Sequence, residues 1–190
     1  MHPCSLTCGV LNIGNRVDER VYHLIKRIPV VFGHLADVID VKACLINDIS
    51  LSMPATAYSP IAGGYFPYPL FSHAALFKEQ ADKKLMKMDK HLEKVLVVTD
   101  KPLAGPEGRI YGQADVGGLY AVVTTHGFYD GSGRGDERLV LEACYLLGRT
   151  MGLPRCDDAK CIMHPAETLA DIDARTAFCD SCVRVLRARS

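Results

Sequence analysis

Tyr145-Leu146-Leu147-Gly148-Arg149-Thr150-Met151-Gly152-Leu153-Pro154-Arg155-Cys156 is the stretch whose reading decides the fold. It joins the end of an apolar helix to the first member of a cysteine cluster. Leu139, Val140, Ala143, Leu146, Leu147 and Thr150 recur at helical spacing up to about Met151. Gly152 is a natural stop, because glycine takes left-handed backbone cheaply, and Pro154 cannot continue a helix. Cys156 then opens a set with Cys161, Cys179 and Cys182, spaced C-x4-C-x17-C-x2-C. Two close thiol pairs joined by a short connection suit a tetrahedral zinc ion, each pair giving two thiolates from one turn or helix end. Four protein ligands leave no open position for water or substrate, so such a site is expected to be structural. It would tie the terminal helix to the end of the preceding one.

Outward from this stretch the chain mixes strands and helices. Thr7–Ile13 reads as a strand, Val17–Val31 as a helix and Asp37–Ile46 as a second strand. Leu51–Phe71, with four prolines and Gly63-Gly64, reads as a long loop. Ala74–Leu92 is strongly helical, and Val95–Thr99 is a short apolar strand suited to a buried central place. Ile110–Val116 and Leu119–Thr125 flank Gly117-Gly118 as a hairpin. Asp136 is the expected N-cap of the motif helix, and Thr168–Leu186 reads as one terminal helix. Gly131, Gly133 and Gly135 precede a helix as phosphate loops do, but the G-x-G-x-x-G spacing and the G-K-[ST] ending are missing, so a flexible connection is expected. No G-x-S-x-G elbow is present to support a serine hydrolase.

Composition bounds the function. The 190 residues carry 22 basic and 22 acidic groups, which argues against a general nucleic-acid or anionic-membrane binder. No apolar run reaches about 18 residues, so no membrane span is expected. Met1–Gly9 lacks the pattern of a signal peptide, and a cytoplasmic monomer is the expectation. In that compartment eight cysteines are thiols or metal ligands rather than disulfides. Cys44 and Cys144 read as core. Cys4 and Cys8, with His2, imitate a metal site but have no second cluster to pair with.

The motif stretch resembles the archaemetzincins, whose extended zinc motif is HExxHxxGxxHC-x4-C-x-M followed by C-x2-C. Gly152 matches the motif glycine, Gly148 a frequent glycine two residues after the glutamate, and Cys156 the closing cysteine. Met163 stands at the Met-turn position, and Cys179 and Cys182 complete the pattern after a spacer of 15 residues, shorter than usual. Val95–Asp100 and Tyr111-Gly112-Gln113-Ala114 look like the family's strand and its FGQA-type segment. The resemblance implies a single metzincin-like, zincin-like α+β domain over 1–190. Residues 1–130 would form a mixed twisted sheet with helices. Residues 131–190 would carry the active-site helix, the Met-turn and a C-terminal helix stapled by a Cys4 zinc site. It also implies a zinc-dependent metallopeptidase with an extended peptide held along the cleft by strand addition.

The residues that would carry the chemistry are replaced. The three zinc histidines fall on Tyr145, Arg149 and Arg155, and the general-base glutamate falls on Leu146. In the active motif, histidines one helical turn apart hold zinc, the metal lowers the pKa of its water, and the glutamate takes the proton. Arginine stays protonated and cannot ligate zinc, and leucine cannot accept a proton. Glu142, His164 and His126 are too few and too dispersed to rebuild a catalytic site. Glu142 reads as a surface or salt-bridged carboxylate with Arg138 or Arg149 as partner. Arg149 and Arg155 either pair with Asp157, Asp158 or Glu142 or, with Tyr145, form a donor-rich pocket for a carboxylate or phosphate. Three functions stay open on these residues. The chain is a relative without peptidase activity that holds one structural zinc and no catalytic zinc. Alternatively it is a hydrolase with an unorthodox metal site. The third is a zinc-stapled protein that binds a peptide, a small anion or a partner.

Overall fold

The computed structural model describes residues 4–14, 19–47, 49, 51–88 and 90–189. At its centre is a five-stranded sheet. The strands are β1 (Cys4–Asn12), β2 (Ile39–Leu45), β5 (Lys94–Thr99), β8 (Gly112–Ala114) and β9 (Tyr120–Thr124), in the spatial order β2-β1-β5-β9-β8. The first four in spatial order run parallel, and β8 closes one edge antiparallel to β9. The apolar run of β5 follows from burial on both faces. Leu96 and Val98 point into one core and Val95 and Val97 into a second, as the period of two requires.

Helices cover both faces. On the first lie α1 (Glu19–Phe32) and α3 (Gly135–Thr150), and on the second α2 (Pro67–Leu85). Val21, Leu24, Ile28 and Phe32 form the buried stripe of α1. The expected start of that helix at Val17 lies outside the described residues, as does His2. Helix α3 is buried nearly all round, as a helix wedged between the sheet, α1 and the C-terminal segment must be. Among the described residues no helix is long and apolar enough to cross a membrane.

Five expectations are corrected. Part of 51–71 is ordered structure: β3 (Tyr58–Ser59) pairs with β4 (Gly64–Tyr65), which joins β6 (Leu103–Gly105) and β7 (Gly108–Ile110) in a small second sheet. Helix α2 starts at Pro67, because a proline fits the first helical turn, where no N–H is needed. The N-cap of α3 is Arg134; Asp136 sits in the first turn and accepts a hydrogen bond from the Tyr129 hydroxyl at 2.5 Å. The connection before α3 is tied rather than loose, with Ser132 N–H on Asp130 (3.0 Å) and Arg134 N–H on Ser132 (3.3 Å).

The fifth correction bears on the site. The terminal helix is two helices, α4 (Leu169–Ala174) and α5 (Asp180–Arg187). Thr168 does start the first, through a capping box with Asp171. Arg175 then turns extended (φ −68°, ψ 142°), and Ala177 makes a bridge to Cys161. The break brings Arg175 into the interior and Cys179 to the start of α5.

Candidate functional site

Helix α3 ends in a Schellman turn. Leu153 N–H reaches the Gly148 carbonyl at 3.0 Å and Gly152 N–H the Arg149 carbonyl at 2.9 Å, with Gly152 at φ +80°. Lys94 locks this end to the sheet by donating to Thr150 O (2.8 Å) and Gly118 O (2.6 Å). The turn delivers Cys156 to the cysteine cluster.

The structure brings Cys156, Cys161, Cys179 and Cys182 together. Their sulfurs all lie within 4.8 Å of one another, and they are the only such ligand group among the described residues. Cys156 and Cys179 stand 3.7 Å apart, as do Cys161 and Cys182. Four thiolates at about 2.3 Å around a tetrahedral zinc ion would be about 3.8 Å apart, so the donor set and its spacing fit that metal. The Cys161 sulfur also accepts the N–H groups of Met163 and Cys179, each at 3.4 Å. Burial pushes the Cys161 and Cys182 thiols up. At Cys179 burial also raises, but the Cys182 backbone N–H and the neighbouring thiols outweigh it and pull the thiol down. The cluster can coordinate a metal ion. His164 packs beside it, its Nδ1 2.9 Å from the Cys156 carbonyl.

The substituted motif positions do not converge. Leu146, at the base position, is 2% exposed, and its Cδ1 fills the place where a Cβ on Gly112 would lie 2.5 Å away. It seals α3 against β8. Tyr145 is buried under the guanidinium of Arg175, which lies 4.7 Å from the ring centroid. Arg149 donates to Leu153 O at 2.7 Å and so closes the helix end. Arg155 is exposed. No hydrogen bond or ring contact joins Tyr145, Arg149 and Arg155 among the described residues. Neither arginine pairs with Asp157, Asp158 or Glu142, because the Schellman turn directs Arg149 to a carbonyl and Arg155 to solvent. Met163 is fully buried beneath α3, against Gly148.

Glu142 is neither a surface group nor a partner of Arg138 or Arg149. It is buried and pairs with Arg175 at 2.7 Å, 33 residues away. Burial raises its carboxyl, and Arg175 opposes that rise. The Tyr111 phenol is raised by burial and then by Glu142, so it stays neutral. Arg138 turns instead to Asp173, with two bonds of 2.8 Å, and to the Phe128 carbonyl at 2.8 Å. Asp130 completes this second network at 2.9 Å. The sequence signal for a buried partner was a lone glutamate among Leu139, Val140, Leu141, Ala143 and Cys144. Nothing in it pointed to Arg175. His126 is exposed and meets no second ligand group.

Residues 79–188 match the model of peptidase family M54. An archaemetzincin of Methanopyrus kandleri is 30% identical over 138 residues, 71% of this chain and 73% of that protein. The crystal structure of archaemetzincin from the same organism superposes with a TM-score of 0.73 at 24% identity, over 97% of this chain and 94% of that one. An archaemetzincin of Archaeoglobus fulgidus, complexed with malonate, superposes at 0.67 and 19% identity, over 94% and 99%. These likenesses bear out the α+β, metzincin-like fold.

Proposed function

The chain belongs to the archaemetzincin family of metzincin-type zinc metallopeptidases, and from that membership we propose that it has lost peptidase chemistry and keeps one structural zinc ion. The observation that carries this reading is the use made of the motif positions. The base position is an aliphatic contact with the sheet, the first ligand position a ring under a guanidinium, and the second a helix cap. None of these groups is free to hold a metal or take a proton. The four cysteines would hold the ion. When bound, it supplies no open coordination position and ties the turn at Met163 to α5.

Metal counting and peptide cleavage test this together. One zinc per chain and no cleavage above buffer are expected. Two zinc ions per chain, or cleavage that a chelator abolishes, would overturn it and favour a hydrolase with an unorthodox metal site.

A second reading is that the cleft binds a small anion or peptide. It is supported by the malonate complex of the Archaeoglobus fulgidus relative and by the exposed Arg155 guanidinium of this chain. Malonate titration by calorimetry, on the native chain and on Arg149→Ala/Arg155→Ala, decides it. Weaker binding in the double variant is expected, and unchanged affinity would exclude it.

A further inference from the structure

A cavity of about 180 Å³ lies between the free edge of β2 and α2, on the opposite sheet face from α3. Its walls are Cys44, Ile46, Phe77, Leu85 and Leu92, and Ala81 faces it from the helix. Gly9 makes the space behind these walls. A Cβ there would lie 2.5 Å from Ile46 Cδ1 and 2.8 Å from Leu92 Cδ1, so both side chains settle onto bare backbone. Cys44, expected in the core, is only half-buried and lines the cavity. Burial raises its thiol, so it is a neutral, soft wall rather than a nucleophile.

The rim carries the opposite chemistry. Gln80 and Lys84 are exposed and line the cavity. Nearby lysines on α2 are already neutralised: Lys78 by Asp82 at 2.5 Å and Lys83 by Glu79 at 2.7 Å. Asp82 also accepts the Leu92 N–H at 2.8 Å, which fixes the cavity floor to the helix. Lys84 has no carboxylate partner among the described residues. A cavity with apolar walls beside an ammonium that meets no carboxylate among the described residues fits an amphiphile with an anionic head.

We propose that this cavity binds a medium-chain carboxylate, its tail among Phe77, Leu85 and Leu92 and its carboxylate on Lys84. An apolar cavity of about 150 Å³ takes a benzene molecule, so this one takes a tail of about six to eight carbons. Gln80 can donate to the second carboxylate oxygen. The site is separate from the cleft beside α3, and its occupancy does not depend on whether any peptidase chemistry remains.

Octanoate is the probe, titrated into the full zinc-loaded chain and followed by calorimetry and by amide chemical shifts. Saturable one-site binding with a dissociation constant of about a millimolar or tighter is expected, with shifts at Cys44 and Ala81 and none in α3. Lys84→Glu, at an exposed position safe for folding, should weaken binding by about tenfold or more, and octan-1-ol should bind native protein about tenfold more weakly than octanoate. Ala81→Phe should abolish binding by filling the cavity. No saturable binding up to about 10 mM overturns the proposal. So does equal affinity for octanoate and octanol together with an unaltered Lys84→Glu variant.

Discussion

Arg175 places its guanidinium 4.7 Å over the ring of Tyr145, the residue at the first zinc-ligand position of the family motif. The same guanidinium pairs with Glu142, one helical turn earlier, at 2.7 Å. A positive charge is thus built in directly over the residue at that motif position. The pair is only partly satisfied, because Arg175 Nε and Nη2 are buried without hydrogen-bond partners. Stacking on the ring is their main compensation.

Arg175→Met should therefore destabilise the fold by about 3–5 kcal/mol, because it leaves a carboxyl buried and unpaired. Arg175→Met combined with Glu142→Met should recover most of that loss, since the charge and its desolvation leave together. Urea unfolding of the two single variants and the double variant measures the coupling. The sign of the pH dependence is also fixed. Arg175 is the group that lowers the Glu142 carboxyl against burial. Without it the folded pKa climbs further above the unfolded one, so the single variant loses stability as pH rises and regains it as pH falls. Additive losses in the double variant would exclude the coupling.

Gly148 and Met163 form a second close contact. Gly148 lies inside α3, where glycine costs about 1 kcal/mol relative to alanine. Helix propensity alone predicts that Gly148→Ala stabilises. The added Cβ would collide with the Met163 sulfur, and that side chain is fully buried. Gly148→Ala should instead destabilise by about 1–3 kcal/mol through overpacking. With Met163→Ala added, the Cβ enters vacated space, and the double variant should lose less than the sum by at least about 0.5 kcal/mol. A stabilised Gly148→Ala would show that the turn yields freely.

Legibility in the sequence tracks the range of the forces involved. The β5 run, the α1 stripe and the stop at Gly152 are local patterns, and each is where its spacing places it. The cysteine set was legible because metal-ligand spacing is itself a local signature. The break of the last helix was not, because no glycine or proline marks Arg175–Cys179. It is imposed by contacts far along the chain: Arg175 on Glu142, and Ala177 on Cys161. Pro67 misled for the opposite reason, since a proline ends a helix or begins one according to the residues on its C-terminal side. The expected gathering of Tyr145, Arg149 and Arg155 failed on direction. Helical spacing places Tyr145 and Arg149 on one face, but Arg149 bends back to its own helix end.

Acid should loosen the C-terminal segment through Asp173. Hydrogen bonds from Arg138, opposed by partial burial, hold its carboxyl below the usual carboxylate range. A carboxyl lowered in the folded state contributes stability above its unfolded pKa and loses it as pH falls through the folded one. Asp173→Asn removes that contribution at neutral pH and has none to lose in acid. The gap in melting temperature between native protein and variant should be full at pH about 7 and shrink below about pH 4. Release of a metal ion from the cysteine cluster in acid would affect both proteins alike and cancel in the difference. A gap that stays constant across this range would assign the stabilisation to packing.

The cysteine cluster gives the largest expected effect. Cys161 is 1% exposed, stands 3.7 Å from Cys182 and accepts two backbone N–H groups at 3.4 Å. A serine there keeps the volume but gives up the thiolate that a soft, borderline metal prefers. Structural zinc contributes on the order of 10 kcal/mol, as much as the whole stability of an ordinary domain, about 5–15 kcal/mol. Cys161→Ser should accordingly purify without zinc and lose its cooperative melt. Cys144→Ser is the control, because it is also fully buried but sits in α3 away from the cluster. It should cost about 1–3 kcal/mol for a hydroxyl in an apolar site and keep one zinc per chain. Zinc by mass spectrometry and melting by circular dichroism separate the two. Equal metal content in both variants would mean that the four thiols are ordinary core residues and that no ion staples α5 to the Met163 turn.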